Sequence, residues 1–280
     1  MQITVLSGKG GTGKTTIATN LALSLDNVQL MDADVEEPNS ALFINPSFGD
    51  NVRPVVRKVP EIDQEKCTGC RECVEFCEYN ALAQLGEEIL VYPEVCHSCG
   101  GCKHICPEQA VVEKNKKTGE ISWDLDVNGL KYWQGKMEIG EESAVFVIKE
   151  LKEEIREDKI TIIDAPPGTT CPTIEAVEGS DYCLLVTEPT PFGLHDLKIA
   201  RRVVDKLNIP AGIVINRSEP KADKIIESYA EEEGIPILHK IPFRRQIARL
   251  YSEGIPFVKV LSNRRKGFKQ IFSQIKAVVE

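Results

Sequence analysis

Three things are scarce in this 280-residue sequence. No apolar run approaches the roughly 18 residues that a membrane-spanning helix needs, so no span is expected. Positive charge is in deficit: 34 Lys and Arg stand against 43 Asp and Glu, a formal net charge of −9. That balance repels a phosphate backbone and excludes non-specific nucleic-acid binding. The first apolar run begins at Ile3, which leaves no room for a cleaved leader, so a cytoplasmic location is expected. Thiols stay reduced there, and the ten cysteines do not read as a disulfide scaffold. The hydrophobic fraction of 42% is ample for one large domain or two.

What is present starts at Gly8-Lys9-Gly10-Gly11-Thr12-Gly13-Lys14-Thr15. An apolar run over 3–6 precedes it, and residues 17–23 follow with helical apolar spacing. Strand, Gly-rich loop and helix are the context of a phosphate-binding loop. Its glycines let successive N–H groups turn inward to phosphate oxygens, and the helix N-terminus adds partial positive charge. Lys14 reaches the outer phosphates and Thr15 offers a hydroxyl to Mg²⁺. Gly8, Gly10 and Gly13 also satisfy G-x-G-x-x-G, with Asp32 and Asp34 about 20 residues on, as in dinucleotide folds. Lys14-Thr15 instead completes G-x-x-x-x-G-K-T. A second acidic loop, Asp164-Ala165-Pro166-Pro167-Gly168, follows an apolar run over 160–163. A strand-end carboxylate suits metal-bound phosphates, and the phosphate-loop reading is preferred.

Lys9, directly after the first glycine, marks the deviant form of the loop. With Asp32-Ala33-Asp34-Val35-Glu36-Glu37-Pro38-Asn39 as switch I and residues 164–168 as switch II, residues 1–58 and 112–280 resemble the superfamily of MinD, ParA and the nitrogenase iron protein. The resemblance implies a P-loop NTPase of α/β class, a doubly wound, mostly parallel sheet with nucleotide at the strands' carboxyl ends. It implies ATP or ADP held by Gly8, Gly10, Gly11, Thr12, Gly13, Lys14, Thr15 and Thr16, and Mg²⁺ near Thr15, Asp32, Asp34 and Asp164. Asp34 would activate the attacking water (its alternative is a helix cap), and Gly168 would present its N–H to the γ-phosphate. Asn216 would recognise adenine through its amide, with Pro242 and Phe243 flanking the base. Two subunits would face each other across two nucleotides, Lys9 reaching into the partner's site.

Residues 59–111 break that pattern. Cys67-x-x-Cys70-x-x-Cys73-x-x-x-Cys77 is followed by Cys96-x-x-Cys99-x-x-Cys102-x-x-x-Cys106, each cysteine mapping to the next run at an offset of 29. Each unit is half of a two-cluster bacterial ferredoxin, in which the last cysteine of one run serves the other run's cluster. One [4Fe–4S] cluster would take Cys67, Cys70, Cys73 and Cys106, and the other Cys96, Cys99, Cys102 and Cys77. Zinc ribbons use pairs of C-x-x-C, not triplets with a trailing fourth. Glu78 replaces the proline usual after the fourth cysteine, a position that shapes the loop without ligating. His97 and His104 are expected to be solvated, since eight thiolates already complete two clusters. From 61 to 110 ten acidic residues face three basic ones, so −7 of the net charge is here. An inserted small α+β ferredoxin-type domain is expected.

Elsewhere the pattern predicts helices over 14–25, 143–156, 194–206, 222–233 and 264–279. Strands are predicted over 28–31, 53–59, 121–125, 130–139, 182–186, 212–215 and 237–241, and a polar turn over 114–119. Trp123, Tyr132, Trp133 and Cys183 read as core, and His195 as a helix cap. Cys171 lies seven residues past Asp164, the offset of a cluster ligand in the nitrogenase iron protein. That protein uses two such cysteines and this chain has one, so Cys171 also reads as a small residue opening a helix. The terminal helix carries few basic residues and closes the domain, so membrane binding is not expected.

Three functions fit. The first is an ATPase whose nucleotide state is coupled to electron transfer through two clusters to a partner protein. The second is an ATP-dependent iron–sulfur or metallocofactor assembly factor or carrier with a client protein. The third is a positioning ATPase like MinD or ParA.

Overall fold

The computed structural model describes residues 1–127 and 129–280. In chain order its elements are β1 (Gln2–Leu6), α1 (Lys14–Ala22), β2 (Val28–Asp32), α2 (Ala41–Ile44), β3 (Val52–Ile62), α3 (Glu72–Phe76), β4 (Leu82–Leu85), β5 (Glu88–Val91), α4 (Gly101–Ile105), β6 (Val111–Val127) and β7 (Leu130–Met137). They continue as α5 (Val145–Lys152), β8 (Ile160–Asp164), α6 (Cys171–Val177), β9 (Tyr182–Thr187), α7 (Pro191–Lys206), β10 (Ala211–Ser218), α8 (Lys224–Glu232), β11 (Ile237–Pro242), α9 (Arg245–Ser252), α10 (Phe257–Val260) and α11 (Ser262–Val279).

Among the described residues, nine strands form one sheet in the order β11-β10-β9-β1-β8-β2-β7-β6-β3. From β11 to β7 every pairing is parallel. The reason is local: βα units return each strand in the same direction, and strands covered on both faces read as nearly continuous apolar runs. All six residues of β9 are buried. One face of the sheet packs against α5, α6, α7 and α8 through Val147, Leu151, Ala176, Leu197, Val204 and Ile226. The other packs against α1, α10 and α11 through Ile17, Leu21, Phe257, Phe268, Ile271 and Ile275. The terminal helix therefore closes the domain. No helix among the described residues is long and apolar enough to cross a membrane.

The remaining edge departs from the predicted pattern. β6 runs antiparallel between β7 and β3, and β3 and β6 continue together as a ribbon from Val52↔Ser122 to Ile62↔Val111. The predicted turn over 114–119 is therefore the middle of a 17-residue strand, and the short strand over 53–59 is eleven residues long. Cross-strand pairing outweighs the turn propensity of Asn115-Lys116-Lys117-Thr118-Gly119. Lys114 pairs with Glu61 at 2.9 Å, and Lys117 with Glu138 at 2.9 Å. The expected limit at 59 falls inside β3, and the limit at 111 falls on the first residue of β6.

The cysteine-bearing segment sits at the end of the ribbon with its own small core of Cys73, Leu82, Ile89, Cys102 and Val111. Its backbone obeys the offset of 29. α3 maps onto α4, and the pairs Ile62↔Val111 and Leu82↔Val91 exchange. So do the bonds from Asp63 N–H to Ala110 O and from Tyr92 N–H to Ala81 O, both 2.8 Å. Trp123 and Trp133 stack at 5.3 Å beside α5, as core residues.

Candidate functional site

β1 ends at Leu6, and the Gly-rich loop wraps the N-terminus of α1. Gly8 permits the loop's approach to α7, since a Cβ there would stand 2.2 Å from the Asp196 carbonyl oxygen. Gly13 caps α1 at φ 92°, a left-handed conformation that glycine adopts freely. Gly10, Gly11, Gly13, Lys14, Thr15 and Thr16 line a cavity of about 250 Å³ together with Asp34, Asn39, Asn216 and Pro242. Gly8 and the buried Thr12 are not among its lining residues.

Three carboxylates gather at the carboxyl ends of β2 and β8. Asp32 and Asp164 are fully buried and Asp34 nearly so. Ser40 connects them, its N–H donating to Asp32 Oδ2 at 2.8 Å and its hydroxyl to Asp164 Oδ2 at 3.1 Å. Burial first, and then Asp164, push Asp32 up to about 8. Burial raises Asp164 as well, against the pull of the Lys14 ammonium. Asp34 stands at about 6 through burial, again opposed by Lys14. A cation would relieve each of these. Thr12 Oγ1, Asn39 Oδ1 and Asp164 Oδ1 are buried without a hydrogen-bond partner, as expected of groups awaiting a ligand. No three His, Cys, Asp or Glu side chains among the described residues converge on a single ion. Mg²⁺ does not require that, because it keeps waters and binds through a hydroxyl and substrate phosphates.

Other predicted groups have partners of their own. Asn216 Nδ2 donates to Thr12 O at 2.8 Å, and Asn216 Oδ1 accepts from Arg217 N–H at 2.9 Å. Gly168 N–H donates to Ser7 O at 3.1 Å. Lys9 turns away from its own cavity, its Nζ 3.7 Å from Asp196 Oδ2. Phe243, 58% exposed, lines the cavity beside Pro242. His195 lies inside α7, whose cap is Thr190 Oγ1, accepting from Gly193 N–H at 2.9 Å. Cys171 is exposed at the start of α6, and Cys183 is buried in β9.

The eight clustered cysteines divide between two cavities. Cys67, Cys70, Cys73 and Cys106 line one. Cys77, Cys96, Cys99 and Cys102 line the other, with Phe76, Tyr79 and His97. Burial repeats with the sequence: Cys73 and Cys102 are buried, Cys70 and Cys99 exposed. Backbone N–H groups of Ala81, Ser98 and Ala110 donate to the sulfurs of Cys77, Cys96 and Cys106, each at 3.3 Å. Paired left-handed residues shape both loops: Gly69 and Ser98, Arg71 and Gly100, Asn80 and Gln109. Burial, then Cys96, push the Cys102 thiol up to about 11, and burial raises Cys73. Four sulfurs per cavity, with N–H donors aimed at them, fit a cubane, whose iron deprotonates its ligands outright. His97, expected to be solvated, stacks on Tyr79 at 3.6 Å between ring centroids.

The CobQ/CobB/MinD/ParA nucleotide-binding domain family matches residues 3–257. This chain is a member of that family. Within this P-loop ATPase family, an uncharacterised protein of Methanocaldococcus jannaschii is 33% identical over 264 residues, covering 92% of each chain. The iron-sulfur cluster carrier protein of the same organism is 25% identical, over 100% of this chain and 85% of its own. The septum site-determining protein MinD of Pyrococcus horikoshii OT3, solved with Mg-ADP, superposes with a TM-score of 0.56. It is 19% identical over 98% of this chain and 95% of its own, which establishes the fold.

Sequence reasoning missed several residues of this family member's site, both beside the buried carboxylates and lining the cavity. Ser40 stands eight residues past Asp32 with no motif to announce it. Arg244, just before α9, and Ile247, Ala248 and Tyr251 on it line the cavity, and α9 is an element not predicted from the pattern. The apolar spacing of Ile247, Leu250 and Tyr251 was the available signal.

Proposed function

We propose that this chain is a Mg-ATP-dependent ATPase whose nucleotide state is coupled to electron transfer through two [4Fe–4S] clusters to a partner protein. The observation that carries this reading is the division of eight cysteines into two four-cysteine cavities, in a segment joined by β3 and β6 to the sheet that bears the phosphate loop.

Loop N–H groups from Gly10 to Thr16 and the Lys14 ammonium bind the phosphates, with Gly8 and Thr12 shaping the loop. Thr15, Asp32 and Asp164 would hold Mg²⁺, which would neutralise charge on the phosphates. Asp34 orients the attacking water and accepts its proton. Asn216 and Pro242 border the adenine, and Gly168 turns its N–H from Ser7 towards the γ-phosphate. Two copies face each other with Lys9 released from Asp196 into the partner's site. Cys67, Cys70, Cys73 and Cys106 hold one cluster, and Cys77, Cys96, Cys99 and Cys102 the other, within an inserted domain spanning 59–111. Bound clusters supply one-electron transfer. Exposed Cys70 and Cys99 place an edge of each site near the surface, and the acidic segment around them suits a basic protein partner in the cytoplasm.

A second reading is favoured by a specific likeness: relatives named iron-sulfur cluster carrier proteins match along the whole chain, and Cys171 is exposed beside switch II. In that reading clusters pass to a client. Buried Cys73 and Cys102 favour clusters that stay. A MinD- or ParA-like positioning role has only the fold in its support.

The deciding experiment measures ATP hydrolysis by anaerobically purified protein with clusters oxidised and then reduced. Rates that depend on cluster state support coupling, and the Lys14→Ala variant abolishes them. Equal rates together with ATP-dependent transfer of iron and sulfide to an apo-acceptor would establish the carrier reading instead.

A further inference from the structure

The two cysteine cavities are related by the internal repeat, yet they are not attached to the sheet in the same way. Arg57, on β3, is buried and spans the joint. Its Nη1 donates to Cys96 O at 2.7 Å and its Nη2 to Pro93 O at 2.6 Å. Nη1 also lies 3.4 Å from Ser98 Oγ. Ser98 in turn donates its N–H to Cys96 Sγ. The same guanidinium meets Glu141 Oε2 at 3.1 Å, with both side chains no more than 4% exposed. Lys116 Nζ closes on Glu141 Oε1 at 2.6 Å. Phe146, on α5, lies under the Arg57 guanidinium at 5.3 Å.

Glu141 leads back to the nucleotide cavity. It lies four residues past Met137, whose N–H donates to Val35 O at 2.8 Å. Val35 is the neighbour of Asp34. A Cβ on Gly135 would stand 2.7 Å from Val35 Cγ1, so β7 and this stretch are packed without a gap. Glu138 N–H donates to Thr118 O at 2.9 Å, and Glu141 N–H to Glu138 O at 3.2 Å. From Asp34 to Cys96 the connection is thus hydrogen bonds, close packing and one buried ion pair.

The internal repeat supplies a control. The position equivalent to Arg57 at the offset of 29 is Gly86, in the open turn between β4 and β5, where a Cβ would touch nothing. Among the described residues, no side chain of the nine-stranded sheet's ribbon grips the backbone of Cys67 as Arg57 grips that of Cys96. The paired-loop architecture forms without such a clamp in its first half, so the clamp is not a requirement of the cysteine fold.

We propose that Arg57 is a positioning residue for the site of Cys77, Cys96, Cys99 and Cys102, and that its ion pair with Glu141 carries the state of the nucleotide cavity to that site alone. This rests on the reading given above, nucleotide at the loop and clusters on the cysteines. An N–H donor on a ligand sulfur favours the more negative, reduced cluster, so moving the 93–98 backbone against Cys96 shifts that cluster's potential. A rearrangement of residues 34–37 reaches this backbone through Val35, Met137 and Glu141. Among the described residues it meets no side chain that clamps the Cys67 backbone in the same way.

The test is a potentiometric titration followed by electron paramagnetic resonance, with and without Mg²⁺ and a non-hydrolysable ATP analogue. In the unaltered protein one midpoint shifts on nucleotide addition and the other stays. Arg57→Lys keeps the charge but loses the planar fork, and Glu141→Gln keeps the shape but loses the pair. Both are expected to abolish most of the shift while nucleotide affinity and iron content stay near those of the unaltered protein. Equal shifts in both clusters, no shift at all, or an unchanged shift in both variants would overturn the proposal. Amide hydrogen exchange gives a readout independent of the clusters. Nucleotide is expected to change protection at 34–37 and 93–98 together, with Glu141→Gln retaining the first change and losing the second. A change confined to 34–37 in the unaltered protein overturns the proposal. Absence of iron or of nucleotide binding would instead remove the reading on which it rests, and the proposal with it.

Discussion

Ser40 Oγ donates to Asp164 Oδ2 at 3.1 Å, joining the segment after β2 to the end of β8 between two buried carboxylates. Among the described residues Asp164 Oδ1 has no hydrogen-bond partner. Ser40→Ala is therefore expected to leave a buried carboxylate short of a donor, at a cost of about 1–3 kcal/mol. Denaturant unfolding of the nucleotide-free protein would show it, and Mg-nucleotide would restore part of the loss.

Asp34 supplies a pH-dependent prediction. Its carboxyl stands at about 6, against 3.8 for a free one, mainly through burial. Between those values the folded state binds a proton that the unfolded chain does not. Asp34 therefore favours folding at acid pH, and that contribution disappears as pH rises through 6. Asp34→Asn is expected to melt a few degrees higher than the unaltered protein at pH 8, the gap closing towards pH 5. The same variant should bind nucleotide and not hydrolyse it. Normal turnover would show that the switch I assignment is wrong.

The cysteine pairing can be tested one cluster at a time. Cys106→Ser removes a ligand from the cavity of Cys67, Cys70 and Cys73, and Cys77→Ser removes one from the other. Each is expected to lower iron content by about half, following four thiolates per cluster. If Cys106→Ser instead disturbed the cluster of its own run, the exchange of fourth ligands between the runs would be refuted.

Lys9 and Asp196 form a half-exposed pair at 3.7 Å, worth about 0–1 kcal/mol. Asp196→Asn should leave the melting temperature unchanged and free the lysine. If Lys9 serves a partner subunit, sedimentation should show nucleotide-dependent dimers at lower protein concentration than for the unaltered chain. No change in dimerisation would separate Lys9 from that role.

His239 lies against Gly267 of α11, where a Cβ would stand 2.6 Å from its ring. Burial, and then Arg264, depress its basicity. The folded state holds the neutral ring, so its contribution is complete above about 6.5 and is lost as pH falls. His239→Gln should reduce the loss of stability between pH 7 and 5, measured by denaturant titration at each pH.

The sequence determined what depends on neighbours in the chain. Strand, loop and helix around residues 8–15 were legible because a Gly-rich turn after an apolar run has few other solutions. The βα alternation was legible because buried parallel strands are continuously apolar. The offset of 29 announced the repeat, and it reappears in the helices, the left-handed residues and the N–H contacts to sulfur. Tertiary structure decided what depends on partners distant in the chain. The polar stretch 114–119 is a strand because β3 lies beside it. Ser40 bridges two carboxylates 8 and 124 residues away. Arg57 reaches Cys96 and Glu141, 39 and 84 residues on. A hydrogen bond or a buried ion pair depends on proximity in space, which no local spacing encodes, and for that reason the joint between the two halves of this molecule became visible only in the fold.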